Sequence, residues 1–167
     1  NDVTINYAVA SDSASFEGVS VSCASETIKA ATGTASGSTA SCTTSTYVID
    51  YWTCDDGTEH ISPYAAFTPS KNSDGVYEAH TYYAHFKLNT ATVTVHHYLK
   101  GTTTKVADDV TATVNVGETY TATPATTFLD TYSGYSLTKD STNPTTTVTV
   151  TAEGAEITLY YTLPLTI

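Results

Sequence analysis

The chain has no arginine and no methionine, so its 6 positive side chains are all lysines, set against 17 Asp and Glu for a formal net charge of −11. A phosphate-binding surface needs clustered positive charge, which excludes nucleic acid as a partner. No apolar run approaches the roughly 20 residues that span a bilayer, so no membrane contact is expected of this stretch. Leu, Glu, Lys and Arg, the builders of long helices, are scarce. There is no Gly-x-Ser-x-Gly elbow, no histidine in a Gly-rich turn, and no Cys-x-x-Cys or His-x-x-x-His spacing. No catalytic residue, resident metal or cofactor is therefore expected. The opening "NDVTINYAVA" lacks a charged segment followed by an apolar one. The closing "LPLTI" matches four positions of the sortase pattern Leu-Pro-x-Thr-Gly, with Ile167 where glycine would stand. Both ends are expected to continue into a longer protein, with neighbouring repeats of the same chain as the first contacts.

What is abundant favours strands. Threonine makes up about a fifth of the 167 residues and tyrosine, at 13, dominates the aromatics. Both suit a pleated, half-exposed surface. The length allows one domain or two small ones. The 3 cysteines, Cys23, Cys42 and Cys54, lie in the first third. Their odd number leaves at least one unpaired. One disulfide among them would stabilise that region by about 2 to 4 kcal/mol, and three partly buried small residues is the alternative.

The stretch "TVTVHHYLKG" (92–101) alternates polar and apolar residues, the mark of a half-buried strand. Successive side chains leave a strand on opposite faces. His97 therefore joins Val93, Val95 and Leu99, while His96 joins Thr92, Thr94 and Tyr98. The two rings cannot share one ion, and His60, His80 and His85 are scattered singly. "DDGTE" and "NSDG" echo calcium loops in composition but lack alternate oxygen ligands and a closing Glu. The pairs Asp55–Asp56 and Asp108–Asp109 are read as solvated turn acids.

Two stretches meet near "FKLNTATV", which predicts domains at 1–89 and 90–167. In the first, Ser/Gly/Asp-rich turns separate short strands. Ile49 and Trp52 are three apart, so carrying both inward needs a bulge between them. Tyr82, Ala84 and Phe86 should face a core, with Tyr83, His85 and Lys87 in water. "SETIKAATG" suits either a strand or one to two helical turns. In the second, strand follows turn, with breaks at Gly101 and Gly117, a new strand from Tyr135, and "AEGAE" before the last.

The second half resembles the mucin-binding-protein (MucBP) repeat of Gram-positive surface adhesins. The resemblance rests on Val93-Thr94-Val95-His96-His97-Tyr98 with Gly101, on Val116-Gly117-Glu118-Thr119-Tyr120, on Gly134-Tyr135-Ser136-Leu137 and on Ile157-Thr158-Leu159-Tyr160-Tyr161. That family usually carries an inward tyrosine where His97 stands, which implies that His97 packs inward with a hydrogen-bond partner. The first half resembles the internalin-type B repeat (Listeria-Bacteroides repeat) through Tyr47, Ile49, Trp52 and Tyr82-Tyr83-Ala84-His85-Phe86, with Thr46 in place of the usual glycine. Together the resemblances imply a mainly β, β-grasp-like fold with at most a short helix, in two small mixed-sheet domains arranged in tandem as an elongated pair. They also imply an extracellular, cell-wall-anchored setting on a Gram-positive surface.

A Thr/Tyr-rich sheet face offers hydroxyls beside flat apolar rings, which suits sugar hydroxyls and C–H faces or a protein contact. Tyr98 and Tyr132, with His96 beside Tyr98, are the candidate binding residues. Tyr135 and Tyr160 sit at motif positions expected to pack. The expected partner is host mucin, a glycan or a surface protein. The alternative is a structural spacer whose repeats project a distant adhesive head.

Overall fold

The computed structural model describes residues 1–61, 64–142 and 145–164; the last three residues of "LPLTI" lie outside them. The chain divides into two compact units, Asn1–Asn89 and Thr90–Ile167, and the described residues are almost entirely strand and turn.

The first unit contains β1 (Asp2–Val9), β2 (Val19–Val21), β3 (Ser25–Lys29), β4 (Ser38–Cys42), β5 (Tyr47–Cys54), β6 (Glu59–His60), β7 (Ala66–Phe67) and β8 (Thr81–Leu88). A five-stranded sheet runs β3-β1-β8-β5-β6, with β1 parallel to β8 and its other pairs antiparallel. A smaller sheet, β2-β4-β7, lends Ala40, Val19, Val21 and Phe67 to a core built on Ile5, Tyr7, Trp52, Tyr82, Ala84 and Phe86. The alternation of β8 is the reason Tyr82, Ala84 and Phe86 reach that core. The bulge demanded by Ile49 and Trp52 is present, as a register shift between Ile49 and Tyr51 against β8.

One expectation is corrected here and one open alternative is resolved. His85 is not a water-facing ring. It stacks on Tyr51 with centroids 4.3 Å apart, and its two nitrogens meet Asp12 Oδ2 at 2.8 Å and Thr53 Oγ1 at 2.9 Å. Alternation sets the face but cannot see the neighbours that cover it. In "SETIKAATG", Ser25–Lys29 is strand, because it finds a complete antiparallel partner in β1, and a turn follows in which the Gly33 amide donates to Lys29 O at 2.8 Å. Cys23 and Cys42 are half-buried and Cys54 is buried, all as free thiols.

The second unit contains β9 (Thr90–Leu99), β10 (Lys105–Asn115), β11 (Thr119–Thr121), β12 (Thr138–Lys139), β13 (Thr147–Thr149) and β14 (Ala155–Thr162). Its main sheet runs β10-β9-β14-β12, with β9 parallel to β14, and β11 pairs with β13 beside the core. Val93, Val95, Val106, Val150, Ile157, Leu159 and Tyr161 are buried together. Each unit thus sets its first long strand parallel to its last. No strand starts at Tyr135. Instead one 3-10 turn, Asp130–Tyr132, precedes a bend in which the Tyr135 amide donates to Tyr132 O at 2.9 Å, and Tyr135 is 54 % exposed. Strand pairing in this segment begins at β12, where Thr138 and Lys139 meet Thr162 and Tyr161 of β14. Gly154, just before β14, has φ +90 and would put a Cβ 2.5 Å from Thr92 O, so only glycine lets the chain pass this close to β9.

Candidate functional site

The inward residues of β9 and β14 define the outward ones. Val93, Val95 and His97 are buried on β9, and Ile157, Leu159 and Tyr161 on β14. Thr92, Thr94, His96 and Tyr98 therefore form a row on the opposite face. The parallel register sets Glu156 beside Thr94, Thr158 beside His96 and Tyr160 beside Tyr98. On the other flank, Thr111 stands opposite Thr94 and Thr113 opposite Thr92. The result is a platform of hydroxyls with two tyrosines at one end. At the other end an open groove of about 510 Å³ is lined by Thr92, Thr94, Thr151, Glu153, Gly154 and Glu156.

His96 is the centre of the platform's charge. Its ring stacks on Tyr98, with centroids 5.5 Å apart and planes 15° apart. Nε2 meets Glu156 Oε1 at 3.2 Å; Nδ1 stands 3.1 Å from Asp109 Oδ1 in an ionic contact outside hydrogen-bonding angles. Lys105 Nζ donates to Asp109 Oδ2 at 2.9 Å. The Asp109 carboxylate, with a second contribution from Glu156, raises the His96 pKa against the opposing effect of partial burial. Lys105 first and His96 second hold the Asp109 carboxyl below its usual range. The platform therefore sets an imidazole between two carboxylates that favour its protonated form, an alternation of donors and acceptors suited to polyhydroxylated ligands.

On the inner face, His97 is 1 % exposed. Tyr161 Oη accepts the Ala125 amide at 2.8 Å and lies 2.7 Å from His97 Nδ1. A phenol has one hydrogen, and with the amide as donor to its oxygen it gives that hydrogen to Nδ1. His97 is then the neutral tautomer protonated at Nε2, consistent with burial lowering its pKa. Nε2 has no partner among the described residues. The ring borders a cleft of about 470 Å³ shared with Val95, Ala107, Val110, Phe128 and Leu129.

The two imidazoles should titrate on opposite sides of 6.5, the ordinary value. The raised pKa of His96 supports stability that is full below the unfolded value and lost as pH rises through the folded one. The lowered pKa of His97 supports stability present above the unfolded value and lost as pH falls through the folded one. A pH titration of the imidazole carbon-bound protons by NMR checks this. His96→Gln is expected to cost most stability below about pH 6.5 and less as pH rises through the raised folded value.

Of the sequence candidates, Tyr98 and His96 come together on the platform. Tyr132 does not join them. It packs against the core from the side of His97, with its ring edge toward Tyr135 at 6.3 Å. Asp109 and Glu156 belong to no candidate motif in the sequence, and Asp109 is not a solvated turn acid: it meets Lys105 and His96. Asp109 lies on β10, where two register shifts interrupt pairing with β9.

Residues 92–162 match the family model of the MucBP domain. Among solved structures, the chain is similar to the type 2 repeat of the mucus binding protein MUB from Lactobacillus reuteri, at 15 % identity and a TM-score of 0.30, over 98 % of this chain and 100 % of that one. No curated protein matches the chain. The family match lies within the second unit, and residues 1–89 fall outside it.

Proposed function

We infer from the MucBP domain at residues 92–162 that the chain is a non-catalytic module of an extracellular bacterial surface adhesin, binding host mucin through its glycans. The observation that carries the reading is the register of β9 against β14, which aligns Tyr98 with Tyr160 and His96 with Thr158 on one outward face. Rings give a saccharide flat apolar surface for its C–H groups, while threonine hydroxyls, Glu156 and Asp109 supply acceptors and donors for its hydroxyls. The short side chains lose little rotamer entropy on binding. Tyr132 is reassigned from ligand contact to packing. For the first unit, the reading remains a B-repeat-like module, supported by Tyr47, Ile49 and Trp52 on the core side of β5. Neighbouring repeats and cell-wall anchoring complete the proposed setting.

The test is a glycan array and a mucin pull-down with the whole chain. Tyr98→Ala is expected to weaken saturable binding about tenfold or more, the effect of truncating an interface aromatic that anchors the ligand, while leaving unit stability within about 1 kcal/mol. No binding in either assay would instead support the spacer reading, in which these repeats hold an adhesive head at a distance.

A further inference from the structure

We propose that the β5–β6 turn and the segment entering β8 form a site for a zinc-class divalent cation, with Cys54, Asp56 and His80 as ligands. One potential ligand atom from each lies within 4.8 Å of the others. Donors held 2.0 to 2.3 Å from a tetrahedral zinc stand roughly 3.5 Å apart, so side-chain shifts of about 1 Å close the set. The three residues line one cavity of about 160 Å³, together with His60 and Tyr82. That volume admits the ion, with a water in the remaining position.

The surrounding bonds hold these donors in place. Cys54 and Asp56 belong to one tight turn, closed by the Gly57 amide on Cys54 O at 3.0 Å, with Gly57 at φ +90. Asp56 Oδ1 accepts the Thr58 amide at 2.8 Å, which orients the carboxylate and leaves its other oxygen for an ion. Asp55 ties the turn to the neighbouring strand. Its Oδ1 meets His80 Nδ1 at 2.7 Å, its Oδ2 accepts the Thr81 amide at 3.0 Å, and its own amide donates to Thr81 O at 3.0 Å. A carboxylate on one imidazole nitrogen is the support that orients histidines for metal at the other. His80 Nε2 is 3.6 Å from Glu78 Oε2, beyond hydrogen-bonding distance.

Donor chemistry selects the ion. Sulfur and imidazole nitrogen beside a single carboxylate suit zinc or a neighbouring transition metal and not calcium or magnesium, which take oxygen. Asp55 and Glu78 add negative charge, and no lysine lines the cavity. On binding, the Cys54 thiol gives its proton to solvent as the sulfur–metal bond forms, so no oxidant or reductant takes part. The bound ion would join the end of β5 to the start of β8.

The test uses the whole reduced chain and cobalt(II) as a spectroscopic stand-in for zinc. A thiolate-to-cobalt charge-transfer band should appear, saturate at one ion per chain and vanish when zinc is added. It should persist in the Cys23→Ser/Cys42→Ser double variant and be lost in Cys54→Ser. His80→Gln and Asp56→Asn, at exposed or half-buried positions, should weaken binding about tenfold or more, as should the positioning variant Asp55→Asn. Zinc should also raise the melting midpoint of the first unit and slow alkylation of Cys54. Absence of the band in the unaltered chain, its survival in Cys54→Ser, its loss in the double variant, or unchanged affinity in both His80→Gln and Asp56→Asn would overturn the site.

Discussion

Trp52→Ala is expected to destabilise the first unit by about 3 to 5 kcal/mol, the range for removing a large buried aromatic. Trp52 is 0 % exposed, lies 5.2 Å from the stacked ring of Phe67, and stands in register with Ala84 and His60. Its loss leaves a void where the main sheet meets β7. Small domains have about 5 to 15 kcal/mol in all, so the variant should melt its first unit well below its second. Trp52 is the chain's one tryptophan. Its fluorescence therefore follows first-unit unfolding in the unaltered protein, and the variant needs far-UV circular dichroism or NMR amide signals. Trp52→Phe should cost less for a second reason. Trp52 Nε1 is buried without a partner among the described residues, and phenylalanine removes that donor's desolvation cost. Equal losses for the two variants would contradict this account.

Tyr161→Phe should destabilise the second unit by roughly 1 to 3 kcal/mol for each group it orphans. The hydroxyl serves two partners, the Ala125 amide and His97 Nδ1, and Tyr161 is itself 1 % exposed. The ring remains, so the loss isolates the hydrogen bonds from packing. Urea unfolding followed by second-unit NMR signals measures it. The His97→Phe/Tyr161→Phe double variant should lose less than the sum of the single variants, because the two substitutions remove opposite ends of one bond. Full additivity would show that the phenol does not donate to the imidazole. The tautomer assigned to His97 would then fail.

Much of the fold was legible because strand alternation is a local property. Residues two apart share a face whatever pairs with the strand, so His97 could be assigned inward and His96 outward from "TVTVHHYLKG" alone. The spacing of Ile49 and Trp52 likewise required a bulge, since the core face of β5 could not otherwise hold both. Expectations failed where the answer depended on what lay opposite. Tyr135 has a strand-like setting, but pairing with β14 begins only at Thr138. His85 pointed to the predicted side, yet Asp12 and Tyr51 cover it there. Tyr132, a ring the sequence leaves free to face a ligand, is half-buried against the second unit's core.

The sequence by itself determined a mainly β chain of strongly negative net charge, with polar and apolar side chains sorted strand by strand. These follow from composition and a two-residue period, which need no knowledge of partners. Only the tertiary structure decided which outward residues meet. Parallel pairing of β9 with β14 brings Tyr98 to Tyr160 and His96 to Glu156, and the pairing of β5 with β8 brings Cys54 and Asp56 to His80. Both groupings join residues distant in sequence. Their register is set by burial of whole strand faces, a sum over many side chains that no single stretch contains.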